Sequence, residues 1–246
     1  MSPITMPTPT VTHRVHQRIA CQMRIAMNLV AVSAHSTGAR ALFCLIALGL
    51  TACAQLQPQP RPVVYDFGPG AIAKVTGERM SPLPTLVLAD VESPAALDST
   101  AVLYRLGYSD AQQLRPYMQA RWSMAPAQLV RQRLREQLGV RRAVLQAAQG
   151  VGAAKPAMTL HLELDEFSHW FDAAENSSGL VRMRATLAQT DAGVERLVAQ
   201  RSFVVQHPAV SQDAAGGVRA LTQATDALIQ EIDQWLVQVE RAHGAK

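Results

Sequence analysis

Ten consecutive apolar or small residues, Ala41-Leu42-Phe43-Cys44-Leu45-Ile46-Ala47-Leu48-Gly49-Leu50, follow Arg40, and a cysteine stands three positions after them. This run constrains the chain more than any other feature. It is too short to span a bilayer, which takes roughly 20 residues. A positive flank, a short apolar core and small residues behind it are the parts of a secretory signal peptide. Cys21 and Cys44 lie at or before that core and no cysteine follows Cys53. The portion beyond Cys53 is therefore a secreted domain with no disulfide, and its own apolar core must hold it together.

Composition agrees once it is divided at Cys53. The chain has 246 residues, 48% hydrophobic and 17% charged, which is a globular and not a disordered balance. Arg14, Arg18, Arg24 and Arg40 precede Cys53 with no acid, so the formal charge of +4 belongs wholly to the leader. Behind Cys53 the charge is formally balanced, which removes the main support for a nucleic-acid partner.

Leu50-Thr51-Ala52-Cys53 resembles the bacterial lipobox. In signals of that kind the cysteine thiol takes a diacylglycerol, the leader is cut before it and the new amino terminus is acylated, for example with palmitate. Cys53 is then the lipidation site and the first mature residue. Several buried acyl chains hold a protein on a membrane far more firmly than one. The competing readings are a thiol buried in a helix and an ordinary signal peptide cleaved nearby. A leader of 15–30 residues is usual, so translation is expected to start at Met23 or Met27 instead of Met1. Position 54 is Ala and not Asp, so the inner-membrane retention signal of enteric bacteria is absent and outer-membrane sorting, facing the periplasm, is expected.

Three regions follow. Residues 1–52 are leader and signal peptide. Residues 53–83 hold the lipidated cysteine, a tether with prolines at 58, 60 and 62, and an early strand within Val63-Val64-Tyr65-Asp66-Phe67. Prolines there favour extended geometry, a stand-off of roughly 25–30 Å. Residues 84–240 form the domain. Thr85 to Val91 and Ala101 to Leu106 read as strands, and Leu114 to Trp122 as an extended excursion interrupted by Pro116. Pro126 opens a helix carrying Leu129, Val130, Leu134 and Leu138, closed by Gly139. Met158, Leu160, Leu162 and Leu164, with Phe167 as a further candidate, alternate with polar residues, the period of a strand with one wet face. Leu180 to Ala188 and Glu195 to Gln206 form a hairpin through Asp191-Ala192-Gly193. Val218, Leu221, Thr225, Leu228, Ile232, Trp235 and Val239 share one long helical stripe. The expected fold class is α/β: a single domain, a mixed and mostly antiparallel sheet packed with two long helices.

Chemistry is hard to place on this chain. His161, His169, His207 and His243 show no metal-binding spacing, so no metal and no cofactor is expected. There is no Gly-x-Ser-x-Gly elbow, and Gly68-Pro69-Gly70 lacks the Gly-Lys-Ser/Thr end of a phosphate loop. The carboxylates Glu163, Asp165 and Glu166 could be an acid/base group or a solvated strand face. The basic run Arg131, Arg133, Arg135, Arg141 and Arg142 could meet anionic headgroups or an acidic partner, or complement a helix C-terminus and cover apolar surface. Tyr104, Tyr117 and Trp122 could form a partner surface, although Trp122 and Trp235 fit the core better.

The order of features resembles the ABC-type transport auxiliary lipoprotein family, which includes the PqiC-like lipoproteins. The resemblance runs from Tyr65 to Leu236. It is carried by Ala89-Asp90-Val91, Ala96-Leu97-Asp98, Leu103-Tyr104-Arg105, Leu114, Tyr117, Arg121-Trp122-Ser123 with Pro126, Leu160 through Phe167, and Gln234-Trp235-Leu236. Phe67 departs from it, standing where an aliphatic residue is expected, which bears on docking of the first segment. Membership implies a non-catalytic component that works beside an inner-membrane ABC permease, a cytoplasmic ATPase and a periplasmic mammalian-cell-entry (MCE) domain protein in moving lipids or hydrophobic compounds between membranes. From their place in the pattern, Tyr104, Arg105, Tyr117 and Arg121 are the expected partner-binding residues. Self-association stays open. The alternative is a free-standing lipid-anchored binding or assembly module of the envelope.

Overall fold

The computed structural model describes residues 61–70, 83–146, 157–191 and 194–244. The leader, Cys53 and the tether up to residue 60 lie outside the described residues, as does the tip of the expected 191–193 turn. Eight strands make one sheet: β1 (Val63–Tyr65), β2 (Leu86–Glu92), β3 (Ala101–Leu106), β4 (Ala111–Trp122), β5 (Val144–Gln146), β6 (Ala157–Ala173), β7 (Asn176–Asp191) and β8 (Val194–Pro208). A four-residue helix α1 (Gly107–Asp110) separates β3 from β4, and the long helices are α2 (Pro126–Leu138) and α3 (Ala214–Gly244).

The spine is the antiparallel meander β6–β7–β8, whose ladders run nearly the full length of the strands. The other edge of β6 is divided. Its first half pairs in parallel with β2, which carries β5, and its last turns pair in parallel with β3, which carries β4 and β1. The parallel contacts are short, so the sheet is mixed and predominantly antiparallel by length. β6 can serve two neighbours because it is 17 residues long, beyond the usual strand.

Period-2 alternation explains the first half of β6: Leu160, Leu162 and Leu164 are buried on the helix side. The alternation then changes parity. The register with β7 shifts between Leu164 and Glu166, leaving Asp165 as an extra residue, so Phe167, His169 and Phe171 continue the same buried face.

Helix α3 lies over β6, β7 and β8. The expected stripe is the buried one, from Val218 through Leu221, Thr225, Leu228 and Ile232 to Trp235, whose ring meets Phe203 of β8 edge-on at 5.8 Å. The helix begins at Ala214, a turn before the stripe, because Asp213 Oδ1 accepts from the Gly216 amide at 2.7 Å and caps it. The helix also approaches β7 closely: a Cβ on Gly179 would lie 2.4 Å from the Ala220 carbonyl carbon, and backbone cannot give way there.

Helix α2 buries Leu129, Val130, Leu134 and Leu138 as its spacing predicts. Gly139 follows without a left-handed cap, its φ being −62°, and its amide donates to the Arg135 carbonyl at 3.0 Å. Ion pairs stitch α2 and the turn after it to α3. Arg133 Nε lies 3.2 Å from Asp226, Arg141 Nη1 lies 2.6 Å from Asp233, and the buried Arg142 meets Glu240. Burial raises the Asp226 carboxyl above its ordinary range, with Arg133 opposing the rise.

The early strand is present as β1, pairing in parallel with Ala120–Trp122. Phe67 docks the segment behind it. Its buried ring meets Trp122 at 5.6 Å and Phe167 at 6.1 Å, the Arg133 guanidinium sits 5.9 Å from its centroid, and Arg133 Nη2 donates to its carbonyl. An aromatic fits because the space between Trp122 and Phe167 is deep and capped by a cation.

Candidate functional site

Strand β4 is irregular where the expected site residues cluster. Ala101 pairs with Arg121 but Leu103 pairs with Pro116, so the segment from Tyr117 to Ala120 bulges out of the β3 ladder. Pro116 has no amide to give to a ladder, which suits the start of an interruption. Two carbonyls of this segment have side-chain donors. Arg121 supplies them: its Nη1 donates to the carbonyls of Tyr117 at 2.7 Å and Ala120 at 2.9 Å. The outer side of the bulge presents Met118, which is 88% exposed.

On its inner side the bulge turns Tyr117 onto the carboxy end of β6. Tyr104 and Tyr117 rings lie 4.7 Å apart, Tyr104 meets Phe171 edge-on at 6.3 Å, and His169 sits 4.4 Å from Phe171. Tyr117 Oη and His169 Nδ1 share a hydrogen bond of 2.9 Å. The first turn of α3 closes this cluster, and only glycine fits at 217, where a Cβ would lie 2.4 Å from His169 Nδ1.

Burial dominates the electrostatics here. His169 is wholly inaccessible, and desolvation brings its imidazole down to about 4, with Asp213 pulling the other way. The Tyr117 phenol is pushed up by burial first, then by Tyr104 and Asp213. Asp213 is held below the usual carboxylate range, chiefly by the Gly216 amide and then by the Ser211 hydroxyl. His169 is thus a neutral ring, and its Nε2 has no partner among the described residues.

Arg105 points to the opposite face of the sheet. It forms an ion pair with Glu166 at 3.0 Å and donates to the carbonyls of Ala111 and Gln112, at 3.2 Å each. Of the four expected partner-binding residues, Tyr104 and Tyr117 therefore share one cluster, Arg121 braces the bulge beside them, and Arg105 locks α1 and the start of β4 from the other side. All four are partly exposed and all have intramolecular partners. Sequence reasoning missed His169 as the partner of Tyr117 and Met118 as the exposed tip. A histidine two positions before Phe171 was the one available signal, readable only after the parity change at Asp165.

The three carboxylates of β6 are drawn to two arginines. Glu163 lies 3.1 Å and Asp165 3.9 Å from Arg184 of β7, while Glu166 is buried against Arg105. Glu163 and Asp165 stay on the wet face of the strand as expected, their side chains 44% and 29% exposed, whereas Glu166 is buried. Trp122 and Trp235 are core, as expected. Among the described residues no helix is long and apolar enough to cross a membrane.

The solved structures with similar folds include a Xanthomonas campestris protein of the DUF330 family, at 16% identity, 77% coverage of this chain, 94% of that chain and a TM-score of 0.56. A hypothetical protein of Chlamydia trachomatis is similar at 12% identity over 62% of this chain and 95% of that one, with a TM-score of 0.43.

 PelC of Paraburkholderia phytofirmans, solved as a dodecamer, is similar at 10% identity over 64% of this chain and 91% of that one, with a TM-score of 0.36. No curated protein matches the sequence. The family model for the ABC-type transport auxiliary lipoprotein component matches residues 65–233, which spans β1 to most of α3. Lipoproteins of that kind associate with the cell envelope and assist transport systems, and the chain belongs to the ABC-type transport auxiliary lipoprotein family.

Proposed function

We propose that this protein is a non-catalytic, lipid-anchored component of an MCE-linked ABC transport system that moves lipids or other hydrophobic compounds between membranes. The observation that carries this reading is the family match over residues 65–233. The signal at 41–53 adds the anchor: Cys53 carries the acyl chains, and Ala54 favours the outer membrane. The folded domain then docks on the periplasmic MCE protein, while the permease and ATPase supply the energy. Tyr104, Arg105, Tyr117 and Arg121 lie at or near that contact. Their intramolecular bonds support a role in holding the β4 bulge in shape, so that Met118 is presented to the partner. An exposed methionine suits a surface that must adapt to a neighbour.

The test is co-purification. The protein carries an affinity tag at Lys246, cells are fed a palmitate analogue, and proteins recovered from detergent-solubilised membranes are identified, with Cys53→Ala as control. Label that depends on Cys53, together with an MCE protein and a permease, is the expected result. Label with neither partner overturns the transport reading and favours the free-standing envelope module.

A further inference from the structure

The five arginines from 131 to 142 divide into two groups. Arg133, Arg141 and Arg142 are committed to acids of α3. Arg131 and Arg135 instead face a groove of about 1020 Å³ between α2 and the strands β2 and β5. They stand one turn apart on the helix face, where side chains at i and i+4 are neighbours. Arg135 has no ion-pair partner among the described residues. Arg131 pairs at 3.0 Å with Asp90, whose side chain is 85% exposed. An exposed pair of this kind contributes little, and a ligand anion can displace its carboxylate.

The other charges on the groove are already engaged. Glu136 lies 3.5 Å from Arg133 and accepts from Gln132, while Arg142 is held by Glu240 and Asp233. Nε of Arg131 and Nε of the wholly buried Arg142 are inaccessible to solvent and have no hydrogen-bond acceptor among the described residues. The guanidinium groups of Arg131 and Arg135 remain as the cationic donors of the groove. Val91, Met124, Ala127 and Val144 supply apolar lining beside them. The volume is that of a small-molecule site, and the mixture of apolar lining with a few convergent cations is the usual character of one.

We propose that this groove binds an amphiphilic anion, its charged head held by Arg131 and Arg135 and its hydrocarbon tail lying along Val91, Met124, Ala127 and Val144. Arginine suits such a head because its planar donors match a phosphate or carboxylate in two-point contact. A phospholipid phosphate and a fatty-acid carboxylate share this chemistry. The site does not depend on the docking surface at β4.

The full chain, purified in neutral dodecyl maltoside, is exposed to a 12-carbon alkyl phosphate with a photoreactive tail, and crosslinked peptides are mapped by mass spectrometry. The expected label falls on β2, the start of α2 and β5, and drops at least tenfold in Arg131→Gln/Arg135→Gln with the melting temperature unchanged. Competition by short-chain phosphatidylglycerol identifies a phospholipid source, and competition by laurate a fatty-acid source. Label elsewhere, equal label in the double variant, or equal competition by inorganic phosphate overturns the proposal. Co-purification of transport partners is read separately, so loss of groove labelling with partners retained overturns the groove alone.

Discussion

The two halves of β6 are built on different physics. Its first half places Leu160, Leu162 and Leu164 under α3 in strict alternation, with polar His161 and Glu163 on the open face. Its second half buries Glu166, Ser168 and His169 together with Phe167 and Phe171. The first half is held by transfer of hydrocarbon from water, which is non-directional. The second depends on particular partners, Arg105 for Glu166 and Tyr117 for His169. A region of the first kind tolerates reshuffling among apolar residues, whereas one of the second kind fails when a single partner is lost.

That contrast can be broken at its strongest point first. Leu162→Ala empties a site that is 1% exposed and is expected to cost about 2–5 kcal/mol, measured by urea unfolding with an unchanged slope. A cost below about 1 kcal/mol would show that the first half is not a packed core.

The second half should carry its own pH signature. His169 is lowered to about 4 from an ordinary value of 6.5, so between those pH values the unfolded chain binds the proton and the folded chain does not. Stability from this group is complete above about pH 6.5 and is lost as pH falls toward 4, by an amount on the order of 3 kcal/mol. Asp213, Tyr104 and Tyr117 are the other ionisable groups that bear on this cluster. His169→Gln, which cannot titrate, should show a shallower decline than the native chain over that window. Parallel pH curves for the two proteins would refute a buried neutral imidazole.

Glu166→Ala leaves Arg105 without its counter-ion at a pair whose side chains are 19% and 10% exposed. A loss of about 2 kcal/mol is expected, and Arg105→Ala in the same background should restore part of it, because the stranded charge is removed. The smallest effect belongs to the exposed rim of the sheet. His161 and Glu195 touch at 2.7 Å but are 42% and 47% exposed, so Glu195→Ala should change stability by less than about 0.5 kcal/mol at neutral pH. A larger change there would mean that the polar face contributes as much as the partnered residues do.

The elements that could be read from the chain are those with a repeating signal. The α2 stripe from Leu129 to Leu138, the α3 stripe from Val218 to Trp235 and the alternation at 160–164 all bury as expected. The lipobox-like pattern at Leu50–Cys53 stays an expectation of the sequence, since Cys53 lies outside the described residues. The four expected site residues, Tyr104, Arg105, Tyr117 and Arg121, were named from their place in a family pattern, and the alternation of β3 alone puts Tyr104 and Arg105 on opposite faces. What spacing could not show is the bulge that turns Tyr117 onto Tyr104 and His169, because a bulge has no periodicity to detect.

The sequence by itself determined the longer strands and both long helices, the apolar face of each helix and of the first half of β6, and the family. Those properties depend on local periodicity and short motifs, which neighbouring residues encode. Only the tertiary structure decided how β6 is shared between β2 and β3, that Phe67 fills the space between Trp122 and Phe167, and which arginines are spent on α3 and which face the groove. Those outcomes join residues far apart in the chain, and their energies depend on burial and on a partner's position, neither of which exists until the sheet has formed.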